Sequence, residues 1–201
     1  MENGRLKTWL VIINVALFGL NFTPVMAQVM EIEVIGGGYR LQGPDVIQFP
    51  NLTATLEAQQ STRDIRELDA QNEESSGTDQ AKDYLYISDM NGGNAFNVSV
   101  SSTDLEDAII HKIIPKTNFY IRNKNGTGTD IVSANTGQPG IAGVSLNSDT
   151  DSFVSLGNDR ILFSGNGDAP GSWKIFPVFR IEIPANTNPG TYVSTITFTI
   201  I

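Results

Sequence analysis

Two pairs of carboxylate residues are the side chains of this chain best suited to acid–base catalysis. Glu73 and Glu74 are adjacent, and Asp149 and Asp151 lie two residues apart. A glycoside hydrolase needs such a pair, with one carboxyl group as the acid and the other as base or nucleophile. Both pairs stand in polar, turn-rich stretches that favour solvated surface loops. A glycan-active enzyme is therefore the least favoured of the functions considered.

Other catalytic constellations are excluded by residue type. His111 is the only histidine and the chain has no cysteine, so a Ser-His-Asp triad, a multi-histidine metal site and thiolate chemistry cannot be assembled. We expect His111 to be an ordinary surface or half-buried residue. The run Gly36–Gly38 has no strand-to-helix context and indicates a turn or joint rather than a dinucleotide site. The sequence thus predicts no enzyme activity, no cofactor and no established metal site.

The stretch "NSDTDS" at 147–152 resembles the start of a calcium loop. Asn147, Asp149 and Asp151 occupy the first, third and fifth places, but Ser152 replaces the glycine at the sixth and Asn158 the glutamate at the twelfth. An EF-hand is excluded. A weak surface calcium site and a plain turn remain open.

The elements that must position these residues are short strands. In "FNVSVSS", Phe96, Val98 and Val100 alternate with polar residues, and similar runs recur between Gly, Pro and Asn turns, without an amphipathic helix or an internal repeat. The pattern predicts an all-β, antiparallel β-sandwich formed by one domain. In the polar stretch 57–83 we expect a solvated hairpin strand and a loop, with a helical turn at "TRDIREL" as the alternative.

Turn residues between neighbouring runs predict three hairpins. Asn91, Gly92 and Gly93 suit a tight reversal, as do Asn125 and Gly126. The third connection is "PANTNPG". The predicted pairs join residues 84–88 to 96–102, 117–122 to 130–132, and 178–183 to 192–201.

The final strand, "YVSTITFTII", is unusually apolar. Tyr192, Ser194, Ile196, Phe198 and Ile200 share one face. Such a strand must be covered. It either closes the core beside 178–183 or forms an unprotected edge to which a neighbouring chain adds a strand.

Residues 1–27 have the features of a secretory signal peptide. Arg5 and Lys7 precede the run "TWLVIINVALFGL", and "TPVMA" predicts cleavage after Ala27. An uncleaved N-terminal anchor is the alternative. We expect residues 28–201 to form the secreted domain, with no membrane span after cleavage.

Charge and composition narrow the partners. The chain has 22 acidic and 13 basic residues; without Glu2, Arg5 and Lys7 the counts are 21 and 11, a net charge of −10. This field repels nucleic acid and anionic lipid. A cysteine-free extracellular domain of this size fits a bacterial exoprotein better than a eukaryotic one.

Trp173 is the only tryptophan after the predicted cleavage site, in the glycine-rich approach "GNGDAPGSWKIF". Its indole could stack on a sugar, but packing in the core or as a lid is favoured.

Together these motifs resemble bacterial WxL-domain cell-surface proteins. "YISDMNGGNAFNVSV" is similar to the first family motif, with a turn at Asp89, Asn91 and Gly93 and with Phe96 and Val98 where W-x-L would stand. The second motif, Y-x-x-x-L-x-W-x-L, is similar in spacing to four residues of the C-terminus: Tyr192, Ile196, Phe198 and Ile200. The resemblance covers most of the chain after about Gln48, with both signature tryptophans replaced by phenylalanine.

This resemblance implies a secreted, non-catalytic β-sandwich held noncovalently on the cell wall through peptidoglycan, or on other surface proteins. We interpret the motif residues mainly as core, and expect Trp173 and the loop near Asp89 and Asn91 to supply contacts. The alternative function is a self-assembling surface-layer or fibre subunit that uses its C-terminal strand.

Overall fold

The fold consists of short β-strands. The computed structural model describes residues 13–16, 29–34, 38–44, 47–50, 52–53, 57–65, 84–89, 95–123, 131–133, 144–166 and 171–201. In chain order the strands are β1 (Ile13–Ala16), β2 (Val29–Val34), β3 (Tyr39–Gln42), β4 (Leu52–Thr53), β5 (Gln59–Asp64), β6 (Leu85–Asp89), β7 (Phe96–Ser102), β8 (Leu105–Asp107), β9 (Ile113–Ile114), β10 (Phe119–Arg122), β11 (Ile131–Ser133), β12 (Val144–Leu146), β13 (Val154–Ser155), β14 (Arg160–Gly165), β15 (Gly171–Ile175), β16 (Val178–Ile183), β17 (Gly190–Val193) and β18 (Thr195–Ile200). Lys116–Asn118 and Ser148–Thr150 form short 3-10 turns.

The strands form four sheets. Sheet A has the order β12-β14-β7-β18-β2, sheet B β13-β10-β16-β5, sheet C β11-β15-β6-β3, and sheet D β4-β1-β17-β8-β9. Among the described pairs, only β2 with β18 and β1 with β4 are parallel. The predicted all-β class is confirmed, whereas the packing of the sheets as a sandwich stays a prediction.

One cluster of buried apolar side chains draws on all four sheets. It includes Val98 of sheet A, Ile181 of sheet B, Ile87 of sheet C and Tyr192 of sheet D. The alternating pattern explains this, because every second residue of a strand points to the same side. In β7 the buried positions alternate strictly with half-buried ones.

All three predicted hairpins are wrong as pairings, although their strands exist. β6 lies in sheet C and β7 in sheet A, β10 lies in sheet B and β11 in sheet C, and β16 pairs with β10 and β5 rather than with the C-terminal segment. Each connection therefore crosses from one sheet to another. Turn residues indicate where a strand ends and a connection begins. Which sheet each strand joins depends on how the apolar faces of both strands are buried.

The C-terminal segment consists of two strands separated by a break at Ser194. β17 belongs to sheet D and β18 to sheet A. The predicted alternation of burial holds through the break, with Tyr192, Ser194, Ile196, Phe198 and Ile200 buried. The expectation that this strand is an unprotected edge is wrong for β18, which pairs with β7 on one side and with β2 on the other.

Two ambiguous segments have a described structure. Gln59–Asp64 form strand β5, which confirms a strand here, but its described partner is the distant β16 and not a neighbouring hairpin strand. Of the alternative helical turn at 62–68, residues 62–64 belong to β5, and Ile65 has a 3-10 conformation. Residues 66–68 and the predicted loop around 75–79 lie outside the described residues. Within the predicted signal peptide, Ile13–Ala16 form β1, which pairs with β17 and β4. Cleavage after Ala27 stays a prediction.

Candidate interaction surface

The motif residues lie in the core. Phe96 and Val98 on β7, Tyr192 on β17, and Ile196, Phe198 and Ile200 on β18 are all buried. Trp173, on β15, is 4% exposed and Asp89, at the end of β6, is 2% exposed. Asn91 and Gly93 lie outside the described residues. Burial leaves little of Trp173 or Asp89 at the surface, and their contact with a ligand stays a prediction.

Aromatic rings join the two strands that carry Phe96 and Trp173. Their ring centroids are 6.0 Å apart, and those of Phe163 and Trp173 are 5.6 Å apart. Tyr39 of β3 lies 5.1 Å from Phe96. Gly165 lets the Phe96 ring pack on bare backbone, since a Cβ at that position would lie 2.2 Å from Cε1 of the ring. The Phe96 side chain thus packs between sheet A and sheet C.

The carboxylates do not converge in the described part of the chain. Asp149 and Asp151 are exposed, whereas Glu73 and Glu74 lie outside the described residues. The Asn147 side-chain oxygen accepts a hydrogen bond from the Asp149 N–H at 2.9 Å, which is an Asx-type turn. The described residues contain no group of three or more His, Asp or Glu placed to hold a metal ion.

Three exposed isoleucines, outside all of the sequence motifs, lie on the hairpin between β8 and β9. Ile109 is 85% exposed, Ile113 58% and Ile110 39%. Monomeric proteins rarely expose several large apolar side chains on one hairpin, so these isoleucines are a candidate contact site. The available signal was "DAIIHKII" at 107–114, in which an aspartate precedes isoleucines that do not alternate with polar residues. We call Ile109, Ile110 and Ile113 the isoleucine patch.

The carboxylate of Asp107 organises this hairpin. It is 2% exposed, and its Oδ1 accepts hydrogen bonds from the N–H groups of Ile109 and Ile110, each at 2.8 Å. Its Oδ2 accepts the N–H of Thr191 on β17. Gly190 is required beside it, because a Cβ there would lie 2.2 Å from Oδ2. One buried side chain therefore holds both the loop and the neighbouring strand by hydrogen bonds.

Backbone contacts complete the turn. The Asp107 carbonyl accepts the N–H of His111, and the Asp107 N–H donates to the Lys112 carbonyl, both at 2.9 Å. His111 has a φ of 51°, the left-handed conformation that ordinary residues seldom adopt. Its Nδ1 lies 3.6 Å from Oε1 of Glu106, and both side chains are exposed. The single histidine thus belongs to the turn that presents the isoleucines.

An open groove of about 850 Å³ runs along the outer face of sheet D beside the patch. Its apolar wall includes Ile109, Ile113 and Val193, and its polar wall includes Glu106 and Thr191. The groove is therefore amphipathic, with a dominant apolar side and a few polar groups. Such a surface can hold a polypeptide segment or the side chains of a protein partner.

The groove ends at the break between β17 and β18, which hydrogen bonds hold in place. The Ser194 hydroxyl donates to the Thr103 carbonyl at 2.8 Å, and the Thr103 hydroxyl accepts the Thr195 N–H at 2.9 Å. The Thr103 N–H donates to the Thr195 carbonyl at 2.9 Å. These bonds satisfy backbone groups where the chain leaves one sheet for another.

Comparison with known proteins adds no relative: no protein-family model matches the chain, and neither curated proteins nor solved structures give a match. The described residues contain no helix that is long and apolar enough to cross a membrane. The WxL resemblance stays a prediction.

Proposed function

We propose that this chain is a secreted, non-catalytic bacterial surface protein that associates noncovalently with other surface proteins or with wall peptidoglycan. The main observation behind the proposal is the isoleucine patch. Its side chains are exposed to solvent, and the Asp107 carboxylate fixes the loop that carries Ile109 and Ile110 by accepting their N–H groups.

The chemistry of the patch favours a protein partner. Three isoleucines and Val193 offer an apolar surface without an aromatic platform for stacking on a sugar. Burying such side chains against a partner removes apolar area from water, which drives association. Glu106 and Thr191 at the rim supply polar groups, as in other protein interfaces.

The predicted signal peptide and the WxL resemblance support the cellular setting. The leader supports export, and the spacing of the two motifs supports noncovalent association with the cell wall. The buried positions of Phe96 and Phe198 support the interpretation that the motifs serve the core. Binding then belongs to another surface, for which the isoleucine patch is the candidate.

Self-assembly through the C-terminal strand is the alternative. Because β18 is paired on both sides, this alternative would depend on β17, whose partner β1 comes from the predicted leader. A glycan-active enzyme remains the least favoured function.

The proposal is tested by secreting the full chain from a bacterial host and separating medium, wall and membrane fractions. We expect the wild type in the wall fraction, and Ile109→Glu with Ile113→Glu in the medium. Ile161→Glu is the matched control, since Ile161 is a 40% exposed isoleucine on another sheet.

Cosedimentation with isolated sacculi, before and after protease treatment of the sacculi, separates the two kinds of partner. Pelleting that protease abolishes identifies a protein partner. Wild-type protein that stays in the medium contradicts the proposal, as does an isoleucine double variant that remains on the wall.

A further inference from the structure

The first described strand occupies a position that export would empty. β1 lies between β17 and β4 in sheet D, with Ile13 opposite Tyr192 and Val15 opposite Gly190 on one side. On its other side Val15 is opposite Leu52 and Ala16 is opposite Thr53. All four residues of β1 precede the predicted cleavage site at Ala27. Removal of the leader would therefore take one strand out of the sheet interior.

We propose that leader removal opens a slot one strand wide between β17 and β4, and that an apolar strand of another surface protein fills it. The inference rests on the proposed export and deepens the proposed function by naming the partner's chemistry. A donated strand runs antiparallel to β17 and parallel to β4, as β1 does.

One edge of β17 is already paired with β8. The opposite edge is therefore the one that can pair with a donated strand. β17 pairs with β8 through Tyr192 and Val193, and the N–H of Thr191 donates to Asp107 on that side. Main-chain groups of successive strand residues point in opposite directions. The N–H and C=O groups of Gly190 and Tyr192 therefore face the slot.

Side-chain contacts keep the main-chain groups of Gly190 and Tyr192 on β17 directed at the slot. The Tyr192 side chain is 1% exposed and its hydroxyl donates to the Asn188 carbonyl at 2.8 Å. On the side next to β8, the Thr191 N–H donates to Asp107, and a Cβ at Gly190 would lie 2.2 Å from the same carboxylate oxygen. An open edge held in this way is a template for strand addition.

The segment seated there defines the occupant. Ile13, Asn14, Val15 and Ala16 are uncharged, and the surrounding run "VIINVALF" at 11–18 carries no charge at all. The occupant is therefore an extended, uncharged segment that is mostly apolar. Without the leader the protein has a net charge of −10, which would also repel a strongly acidic strand.

The described edge strands of a second copy match this chemistry poorly. β9 has two residues and is flanked by Lys112 and Pro115, two features that discourage edge pairing. β5 contains Arg63 and Asp64, β2 contains Glu31 and Glu33, and β3 contains Arg40. β11, β12 and β13 have three residues or fewer. A different protein is therefore the donor.

The probe is a synthetic peptide with the sequence of residues 11–18, carrying a soluble tail and a fluorophore. It is titrated against the exported protein, whose N terminus is established by mass spectrometry. We expect saturable binding, and at least about tenfold weaker binding of the peptide with Val15→Pro, which removes the main-chain donor opposite Gly190. The matched control is the full chain made without export, whose own β1 keeps the slot filled.

Hydrogen exchange locates the bound peptide. The amides of Gly190 and Tyr192 should gain protection on binding, whereas that of Thr191, bonded to Asp107, should not change. Processed protein that binds both peptides equally, or neither, overturns the slot while leaving the proposed surface association intact. If the processed protein oligomerises and the amides of Gly190 and Tyr192 are protected without peptide, the donor is a second copy of this chain. That result overturns the proposal of a different protein as donor. An exported chain that still begins at Met1 overturns the proposed processing, and the slot with it.

Discussion

The buried carboxylate of Asp107 on β8 accepts a hydrogen bond from the main-chain N–H of Thr191 on β17. The same side chain caps the N–H groups of Ile109 and Ile110. A single residue therefore joins strand β17 of sheet D to the loop that exposes the isoleucine patch. Loss of this carboxylate should affect the stability of the sheet and the order of the loop together.

We expect Asp107→Ala to lower the free energy of unfolding by about 2–4 kcal/mol, because it leaves buried N–H groups without an acceptor. Asp107→Asn keeps one side-chain oxygen and should cost about half as much. Urea denaturation measures both, with the exposed Asp159→Asn as control. If Asp107→Ala and Asp159→Asn proved equally mild, the carboxylate would not hold this hairpin.

Phe96 should not tolerate the tryptophan that the WxL motif carries at its position. The ring packs on Gly165 and lies close to Phe163 and Trp173, so Phe96→Trp overfills the space and should destabilise by about 1–3 kcal/mol. Thermal unfolding against Phe96→Leu provides the measurement. A tryptophan variant at least as stable as the wild type would show a core looser than these contacts indicate.

Gly165→Ala tests the same packing from the backbone side. The added Cβ meets the Phe96 ring, and we expect a loss of about 1–3 kcal/mol. Combining it with Phe96→Leu should cost less than the sum of the two single changes, since a smaller side chain gives the methyl group room. Strict additivity in a double-mutant cycle would argue against direct contact.

Ser194 should be more than a polar interruption. Ser194→Ala removes the hydroxyl that donates to the Thr103 carbonyl, and we expect a loss of about 1 kcal/mol. Hydrogen exchange should quicken at the junction of β17 and β18, while the core amides of β7 keep their protection. Equal loss of protection across β7 would place the effect in sheet A as a whole.

Alkaline pH should weaken the fold partly through Tyr192. Burial raises the pKa of Tyr192 above its ordinary value of 10.0, and the nearby Asp107 carboxylate raises it further. Between the unfolded and folded pKa values the unfolded chain has lost the proton and the folded chain keeps it. The free energy of unfolding therefore falls as pH rises above about 10.

Tyr192→Phe cannot ionise, so it should show a shallower decline between pH 9 and pH 11. At pH 8 the variant should already be less stable, because it lacks the hydrogen bond to the Asn188 carbonyl. Urea denaturation at each pH gives both quantities. Equal slopes for the two proteins would show that Tyr192 does not contribute to the alkaline loss.

The sequence by itself determined the all-β class and the buried face of the strands that alternate most clearly. Phe96, Val98, Ile196 and Phe198 could be assigned to the core because a strand repeats every two residues, so one buried face is visible as an alternation. These properties are local and need no knowledge of the partner strand.

Only the tertiary structure decided which strands pair and where the surface is apolar. Residues 192–201 read as one strand, yet Ser194 bonds to Thr103, 91 residues away, and divides the segment between two sheets. Likewise, the exposure of the isoleucines at 109, 110 and 113 is seen only in the folded chain, where Asp107 accepts hydrogen bonds from their loop and from Thr191. Contacts between residues distant in sequence select the pairing and the exposed face, because many pairings would bury the same local pattern.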